Sequence, residues 1–406
     1  MRASRGTTSE RAEPRGRLVC EFRQILAFAV VGLLLGGASV AGQTPPQPAP
    51  TTATQPSKFR SAEDGWFDVG GFLDTRYGFL PVGTIITEPA LGLGAGGGLT
   101  FMDAPLGGSN RPNIFMVGGF GTENGTKGAL AGDMRYWADG RVQTLVGGMY
   151  ASVNLDFYGL GDDSILADHP LRYNLEPAGG FVQTKLRLGS ARSPAWAGVS
   201  YAYFSTDVAF DAPPETPGLP DFLHTSKVGG ITPSFTFDSR DTIFTASRGC
   251  YVEGTVGIFD DSLGSDEDFQ RASVVAMQYA PLPGRVYLGF REQVAASSKD
   301  TPFYLRPFVL QRGVPAMRYL GEEMAQLEVE VRWQFWKRLS LVGFGGGGVV
   351  WTDFERLESP RSVAAGGVGF RYELARKYGL HVGLDVAYGP DGTAVYFQWG
   401  SAWIRP

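Results

Sequence analysis

PFYLRPFVLQRGVPAMRYLGEE (Pro302–Glu323), MAQLEVEVRWQFW (Met324–Trp336) and KRLSLVGFGGGGVVW (Lys337–Trp351) follow one another without a break. In the middle segment Ala325, Leu327, Val329, Val331, Trp333 and Phe335 alternate with Gln326, Glu328, Glu330, Arg332 and Gln334. Period-two alternation defines a strand, because successive side chains leave opposite faces. The strand is too long, and its polar face too charged, for the core of a soluble sandwich. One face suits hydrocarbon and the other suits water, the pattern of a transmembrane β-barrel strand. The Lys337–Trp351 segment returns as the next strand after a tight turn.

Outward from this stretch, turn signals recur along the whole chain and argue for all-β architecture. Strands are predicted over Tyr77–Thr87, Leu91–Met102, Asn113–Thr122, Lys127–Trp137, Arg141–Phe157, Ala178–Leu188, Trp196–Phe210, Leu223–Asp238, Gly249–Phe259, Phe269–Leu282 and Arg285–Ala296. Beyond the quoted stretch come Ser362–Leu374, Gly379–Tyr388 and Thr393–Ile404, while Tyr158–Glu176 reads as a long polar loop. Leu380, Val382, Leu384, Val386 and Tyr388 face away from His381, Gly383 and Asp385, and Val395, Phe397 and Trp399 away from Tyr396, Gln398 and Gly400. The sum is a transmembrane antiparallel β-barrel of about 16 strands, an even number that lets both chain ends meet on the periplasmic side. Closure satisfies every backbone donor and acceptor inside lipid. Trp137, Trp333, Trp336, Trp351, Trp399 and Trp403 fall near strand ends, where an interfacial aromatic girdle places them.

The amino-terminal region is of a different kind. Met1–Arg23 carries six arginines, Ile25–Ala38 is an apolar run of 14 residues, and Ser39-Val40-Ala41 is a small-x-small cleavage site. That order predicts a secretory signal over residues 1–42, too short for a spanning helix. Residues 43–64 begin QTPPQPAPTTATQPSK, a Pro-, Thr- and Gln-rich linker that cannot bury a core. The barrel domain is then expected over 65–406. Composition agrees: 57 glycines, 13% aromatic residues and two cysteines, of which Cys20 lies in the signal and leaves Cys250 alone. The formal charge of −5 argues against nucleic acid as a partner. No G-x-S-x-G occurs, and His169, His224 and His381 stand apart without metal-ligand spacing. The expectation is no enzyme, no cofactor and no metal.

Four stretches carry a family resemblance. FYGLGDDS (Phe157–Ser164), FTFDSRDTIFTASRGCYVEG (Phe235–Gly254), LQRGVPAMRYLGEEMAQLEVEVRW (Leu310–Trp333) and YFQWGSAW (Tyr396–Trp403) occur in that order. The chain resembles the bacterial surface antigen family of outer-membrane barrels, the superfamily of BamA, TamA and the two-partner secretion transporters. The second stretch matches its D-x-R-D…G signature through Asp238, Arg240, Asp241 and Gly249. The third matches its sixth loop, with Arg312 and Gly313 as the Arg-Gly pair. The fourth matches the closing strand, with Gly400 before a terminal aromatic, here Trp403. No room precedes the barrel for POTRA repeats, so the likeness is to the short branch of the family, and accessory lipoproteins gain no support as partners. The chain departs from the pattern at Val314, at Gly346, where the family carries an aspartate that receives the loop arginine, and past the terminal aromatic at Ile404-Arg405-Pro406.

The resemblance implies a bacterial outer-membrane location, the lipid bilayer as partner, and work in outer-membrane protein insertion, assembly or translocation on client outer-membrane proteins. A passive pore or structural barrel is the alternative. It also implies that the sixth loop folds into the lumen, where a dehydrated arginine needs a carboxylate. With Gly346 in the acceptor position, Glu330 or Glu328 is the expected partner of Arg312, and Glu330→Gln the more damaging change. Arg285, Arg291, Arg332 and Asp385 are expected to line the lumen with them. A short first strand broken by Pro81 and a last strand containing Gly400 predict a weak seam.

Overall fold

The computed structural model describes residues 59–106, 112–159, 166, 169–211, 223–352 and 360–403. The expected signal, the linker up to residue 58, residues 404–406 and residues 160–165 and 167–168 of the expected Tyr158–Glu176 loop lie outside them. One antiparallel sheet holds sixteen strands in chain order. They are β1 (Gly78–Ile86), β2 (Gly94–Met102), β3 (Ile114–Thr122), β4 (Lys127–Trp137), β5 (Val142–Phe157), β6 (Leu171–Arg187), β7 (Ala195–Phe210) and β8 (Leu223–Asp238). The second half comprises β9 (Gly249–Phe259), β10 (Phe269–Leu282), β11 (Val286–Ser297), β12 (Glu323–Trp336), β13 (Leu339–Trp351), β14 (Arg361–Ala375), β15 (Leu380–Gly389) and β16 (Gly392–Trp399). A single helical turn, α1 (Gly70–Leu73), precedes β1. No helix among the described residues is long and apolar enough to cross a membrane.

The polarity of the wall is the inverse of a soluble protein's. Leu327, Val331, Trp333, Leu341, Val368 and Leu384 are exposed on the outside, while Gln293, Glu328, Arg332, Arg371 and Asp385 are buried inside. This is a transmembrane barrel, with apolar staves toward lipid and polar faces toward the lumen. The interior is not uniformly ionic, however. Toward the end that carries the long β11–β12 connection, Leu155, Tyr173, Leu175, Val208, Phe259 and Phe269 pack on Tyr304, Leu305, Phe308, Met317 and Leu320 of that connection. Here an apolar core fills the lumen.

Three expectations need correction. β6 starts at Leu171, inside the expected loop, because Leu171, Tyr173 and Leu175 pair with Phe157, Leu155 and Val153. Arg285 takes a positive φ of 60° in the β10–β11 turn and is exposed, so it does not line the lumen. β16 ends at Trp399, not Ile404. Gly400 adopts φ 73°, donates its N–H to the His381 carbonyl at 2.7 Å and turns the tail inward. Trp403 is therefore buried against Tyr251, Val275 and Met277 and is not part of any girdle.

At the end where residues 59 and 403 lie, the mouth is covered. The β8–β9 turn reaches across it: Phe244 packs with Val69, Leu73, Ala375 and Leu380, and its carbonyl accepts the Ser401 N–H at 2.7 Å. The Asp238–Gly249 signature shapes this turn. Arg240 binds Asp238 through Nε at 2.9 Å and Nη2 at 2.8 Å, and Asp241 accepts the N–H of Ser247 at 3.0 Å. Gly249 has φ 95°, and a Cβ there would stand 2.3 Å from the Ser239 carbonyl oxygen. Glycine is required at that point.

β1 and β16, the two ends of the sheet, share no ladder among the described residues. The Phe397 N–H donates to Thr87 Oγ1 at 3.3 Å across this seam.

Candidate functional site

The β11–β12 connection, loop 6, enters the barrel as a hairpin-like arm. Phe308 and Leu320 form an antiparallel bridge, the Val309 N–H donates to the Tyr319 carbonyl at 2.9 Å, and the Gly321 N–H to the Pro307 carbonyl at 3.0 Å. The tip is Arg312-Gly313. Glycines in the wall make the space for it. A Cβ at Gly348 would meet Val309 at 2.6 Å, and one at Gly389 would overlap the Gly313 carbonyl. Gly313 itself has φ 91° and lies against Ala365 and Ala387. Gly348 in β13 and Gly389 in β15 thus give up wall side chains to make room for loop atoms.

Arg312 is 6% exposed and reaches three carboxylates. Its Nε lies 2.8 Å from Glu328 Oε1 and its Nη1 2.8 Å from Asp385 Oδ2, both as hydrogen bonds. Its Nη2 lies 2.8 Å from Glu330 Oε2 but outside hydrogen-bond geometry, so that contact is ionic only. The guanidinium carbon stands 3.6 Å from the centroid of the Phe344 ring, which covers one face of the group. Asp385 is also held by Arg371, whose Nη2 donates to Oδ2 at 2.8 Å. Two arginines and three acids thus share one buried cluster, in which every carboxylate lies against a guanidinium.

Glu328 joins three parts of the chain. Besides Arg312 it accepts a hydrogen bond from Trp403 Nε1 at 2.6 Å. Loop 6, entering from one end, and the carboxy-terminal tail, entering from the other, therefore meet on one carboxylate. The Gly313 N–H donates to Tyr396 Oη at 2.9 Å, and the Ala316 N–H to Glu88 Oε1 at 3.0 Å. Tyr396 belongs to β16, and Glu88 follows β1. Each edge of the seam grips the loop.

The expectation ranked Glu330 above Glu328, and the geometry ranks them the other way. Glu328 makes two hydrogen bonds, whereas Glu330 makes only the off-angle contact. Among the expected lumen residues, Arg291 donates from Nη1 to the Leu310 carbonyl at 2.7 Å, and Arg332 stacks on Tyr287 at 4.2 Å. Asp385 is more than a lining residue: it takes a direct share of Arg312. The sequence carried a signal for this at Gly369, the partner of Asp385 in β14, where a Cβ would overlap the carboxylate. The Asp238, Arg240, Asp241 and Gly249 group makes none of these contacts and works at the covered mouth. Gly400 serves the site only by turning Trp403 inward.

No family model and no curated protein sequence matches the chain. Among solved structures, the crystal structure of BamA from Haemophilus ducreyi lacking POTRA domains 1–3 aligns with TM-score 0.55 and 12% identity, covering 80% of this chain and 70% of that one. CdiB from Escherichia coli aligns with TM-score 0.56 and 13% identity over 81% of this chain and 60% of its own length. CdiB from Acinetobacter baumannii gives 0.50 and 9%, over 79% and 58%. The chain thus spans less than two thirds of either CdiB. It has the sixteen-strand barrel fold shared by these structures.

Proposed function

We propose that this chain is a bacterial outer-membrane barrel that inserts, assembles or translocates outer-membrane proteins, with client strands engaging the β1–β16 seam. The observation that carries the reading is the seam itself, two strand edges without a ladder, held from within by loop 6. An unpaired edge can accept a strand through main-chain hydrogen bonds. In lipid such an edge is costly to leave open, so the edges would part only when a client strand replaces what they lose. The arm in the lumen supports this over an open pore, since it fills the space through which solutes would pass. The proposal assigns no reaction and no cofactor to the chain.

The test uses liposomes containing the full chain and an unfolded eight-stranded barrel as probe client. With Cys250→Ser as background, Thr87→Cys and Phe397→Cys place a reversible crosslink at the seam. The expected result is faster insertion of the probe than in empty liposomes, loss of that gain on oxidation and recovery on reduction. Equal insertion with the seam locked overturns the seam reading. Steady conductance of the intact chain without any insertion activity favours the pore.

A further inference from the structure

Residues 59–77 precede the first strand, yet they are built into the barrel. The Ser61 N–H donates to the Trp66 carbonyl at 3.0 Å and the Asp68 N–H to the Phe59 carbonyl at 3.1 Å, which closes a small hairpin. The Val69 N–H continues onto the Leu374 carbonyl at 2.9 Å. Arg338, in the β12–β13 turn, binds Asp64 through Nε and Asp68 through Nη1, each at 2.7 Å. These contacts fix where the hairpin's aromatic side chains go.

They go to the outer face. Trp66 meets the Trp336 ring edge-on at 5.2 Å and lies nearly parallel to the Tyr372 ring at 6.2 Å. Trp336 follows Trp333 across a register shift and is 51% exposed. Tyr372 is two residues beyond the exposed Phe370 on β14, and its hydroxyl donates to the Phe67 carbonyl at 2.7 Å. The hairpin therefore lies over the rim and lengthens the lipid-facing aromatic surface of β12–β14 past the ends of the strands. Phe67 and Phe59 stack on each other and remain exposed.

A cation sits in this aromatic group. Lys337 Nζ is 5.4 Å from the Trp66 centroid and 5.6 Å from that of Trp336, and the residue is exposed. The hairpin's acids are already engaged: Asp64 and Asp68 with Arg338, and Glu63 with Arg376. No acid among the described residues pairs with Lys337. Arg60 and Arg76 add two further exposed cations on the same segment.

We infer that this hairpin and the β12–β13 turn form a phospholipid headgroup site at the rim, in which Trp66, Phe67 and Trp336 lie at the depth of the glycerol backbone and Lys337 takes the phosphate of an anionic lipid. Continuity with the apolar wall supports a lipid occupant, because the aromatic face begins where the strands' outward residues stop. Charge complementarity supports an anionic headgroup. Amphipathic indoles favour the interface, and a lysine stem can follow apolar surface while its ammonium stays at phosphate level. The inference needs only a barrel that spans a bilayer, and so stands apart from the proposed activity.

The test places the full chain in nanodiscs of zwitterionic phospholipid, with or without an anionic phospholipid, and reads two signals. The first is the quenching of Trp66, taken as the difference between the parent and Trp66→Phe, by lipids brominated at shallow or deep acyl positions. The second is retention of the anionic phospholipid in native mass spectra. Shallow bromines should quench Trp66 more than deep ones. Lys337→Gln should lower anionic-lipid retention about fivefold, the loss expected for one surface cation. Phe67→Ser should lower retention of both lipids. Protease protection at Arg60 reports that the hairpin is still docked in each variant. Unquenched Trp66 with the hairpin protected, or retention unchanged in Lys337→Gln, overturns the inference. So does a dimer that Phe67→Ser dissolves, since a second copy would then cover the face.

Discussion

Two arginines fasten two inserted segments to this barrel, and they do so in opposite ways. Arg312 rides on the loop and finds its acids on the wall, whereas Arg338 is fixed in a wall turn and takes its acids from the hairpin. Arg312 is bound where Asp385 is wholly buried and Phe344 covers one face. The carboxylates on Arg338 lie at the rim, with side-chain exposures of 13% and 12%, although the guanidinium they hold is itself fully covered. A buried cluster cannot exchange its partners for water, so losing one member strands the others. Carboxylates at a rim can, so the strength of this clamp follows salt and pH. The first suits a plug that holds one position, and the second an attachment that solution conditions can loosen.

The largest effect is expected at the buried arginine. Arg312→Ala leaves Glu328, Glu330 and Asp385 without their shared cation and should cost about 3–5 kcal/mol. Limited proteolysis should then cut loop 6 in intact vesicles, where the parent resists. Next comes the pair of glutamates. Glu328→Gln weakens the bonds from both Arg312 and Trp403 and should cost about 2 kcal/mol, against about 1 kcal/mol or less for Glu330→Gln. Thermal unfolding in detergent ranks them, and the reverse order would place the arginine's main partner on Glu330.

At the rim, Arg338→Ala should release the hairpin while the loop stays protected, at a cost of about 1–2 kcal/mol. Raising salt from 0.15 M to 1 M shortens the screening length from about 8 Å to about 3 Å and should loosen the hairpin in the parent as well. Protease access at Arg60 reads both. The smallest effect is in acid. Hydrogen bonding from Arg338 holds the Asp64 carboxyl down at about 2, from its ordinary 3.8. A depressed acid stabilises the docked state fully above its ordinary pKa and loses that contribution as pH falls through the lower one. Docking should therefore be flat above roughly pH 4 and weaken toward pH 2. Weakening that began near neutral pH would remove Asp64 from the clamp.

Much of the wall was legible in the sequence. β4, β8, β9 and β10 have the bounds that alternation and turn residues assigned, because a period-two pattern with one greasy face admits a single register. What local pattern could not supply was anything set by closure of the barrel. Asp385 reads as an inward residue of β15, but that β15 faces the loop tip follows only from bending sixteen strands round. Trp403 continues the alternation of β16 on paper, and one left-handed glycine, Gly400, takes it off the wall. The first part of the hairpin, residues 59–64, falls in the stretch read as linker, since its structure depends on Arg338, more than 270 residues away along the chain. In each case the missing information was a long-range charge partner or a single φ angle, and composition encodes neither.

The most direct test of the account is single-channel recording of the parent chain beside Arg312→Ala. A lumen shut by an arginine-locked arm predicts a silent parent and large, flickering openings in the variant. Steady large conductance from the parent, unchanged by Arg312→Ala, would contradict it.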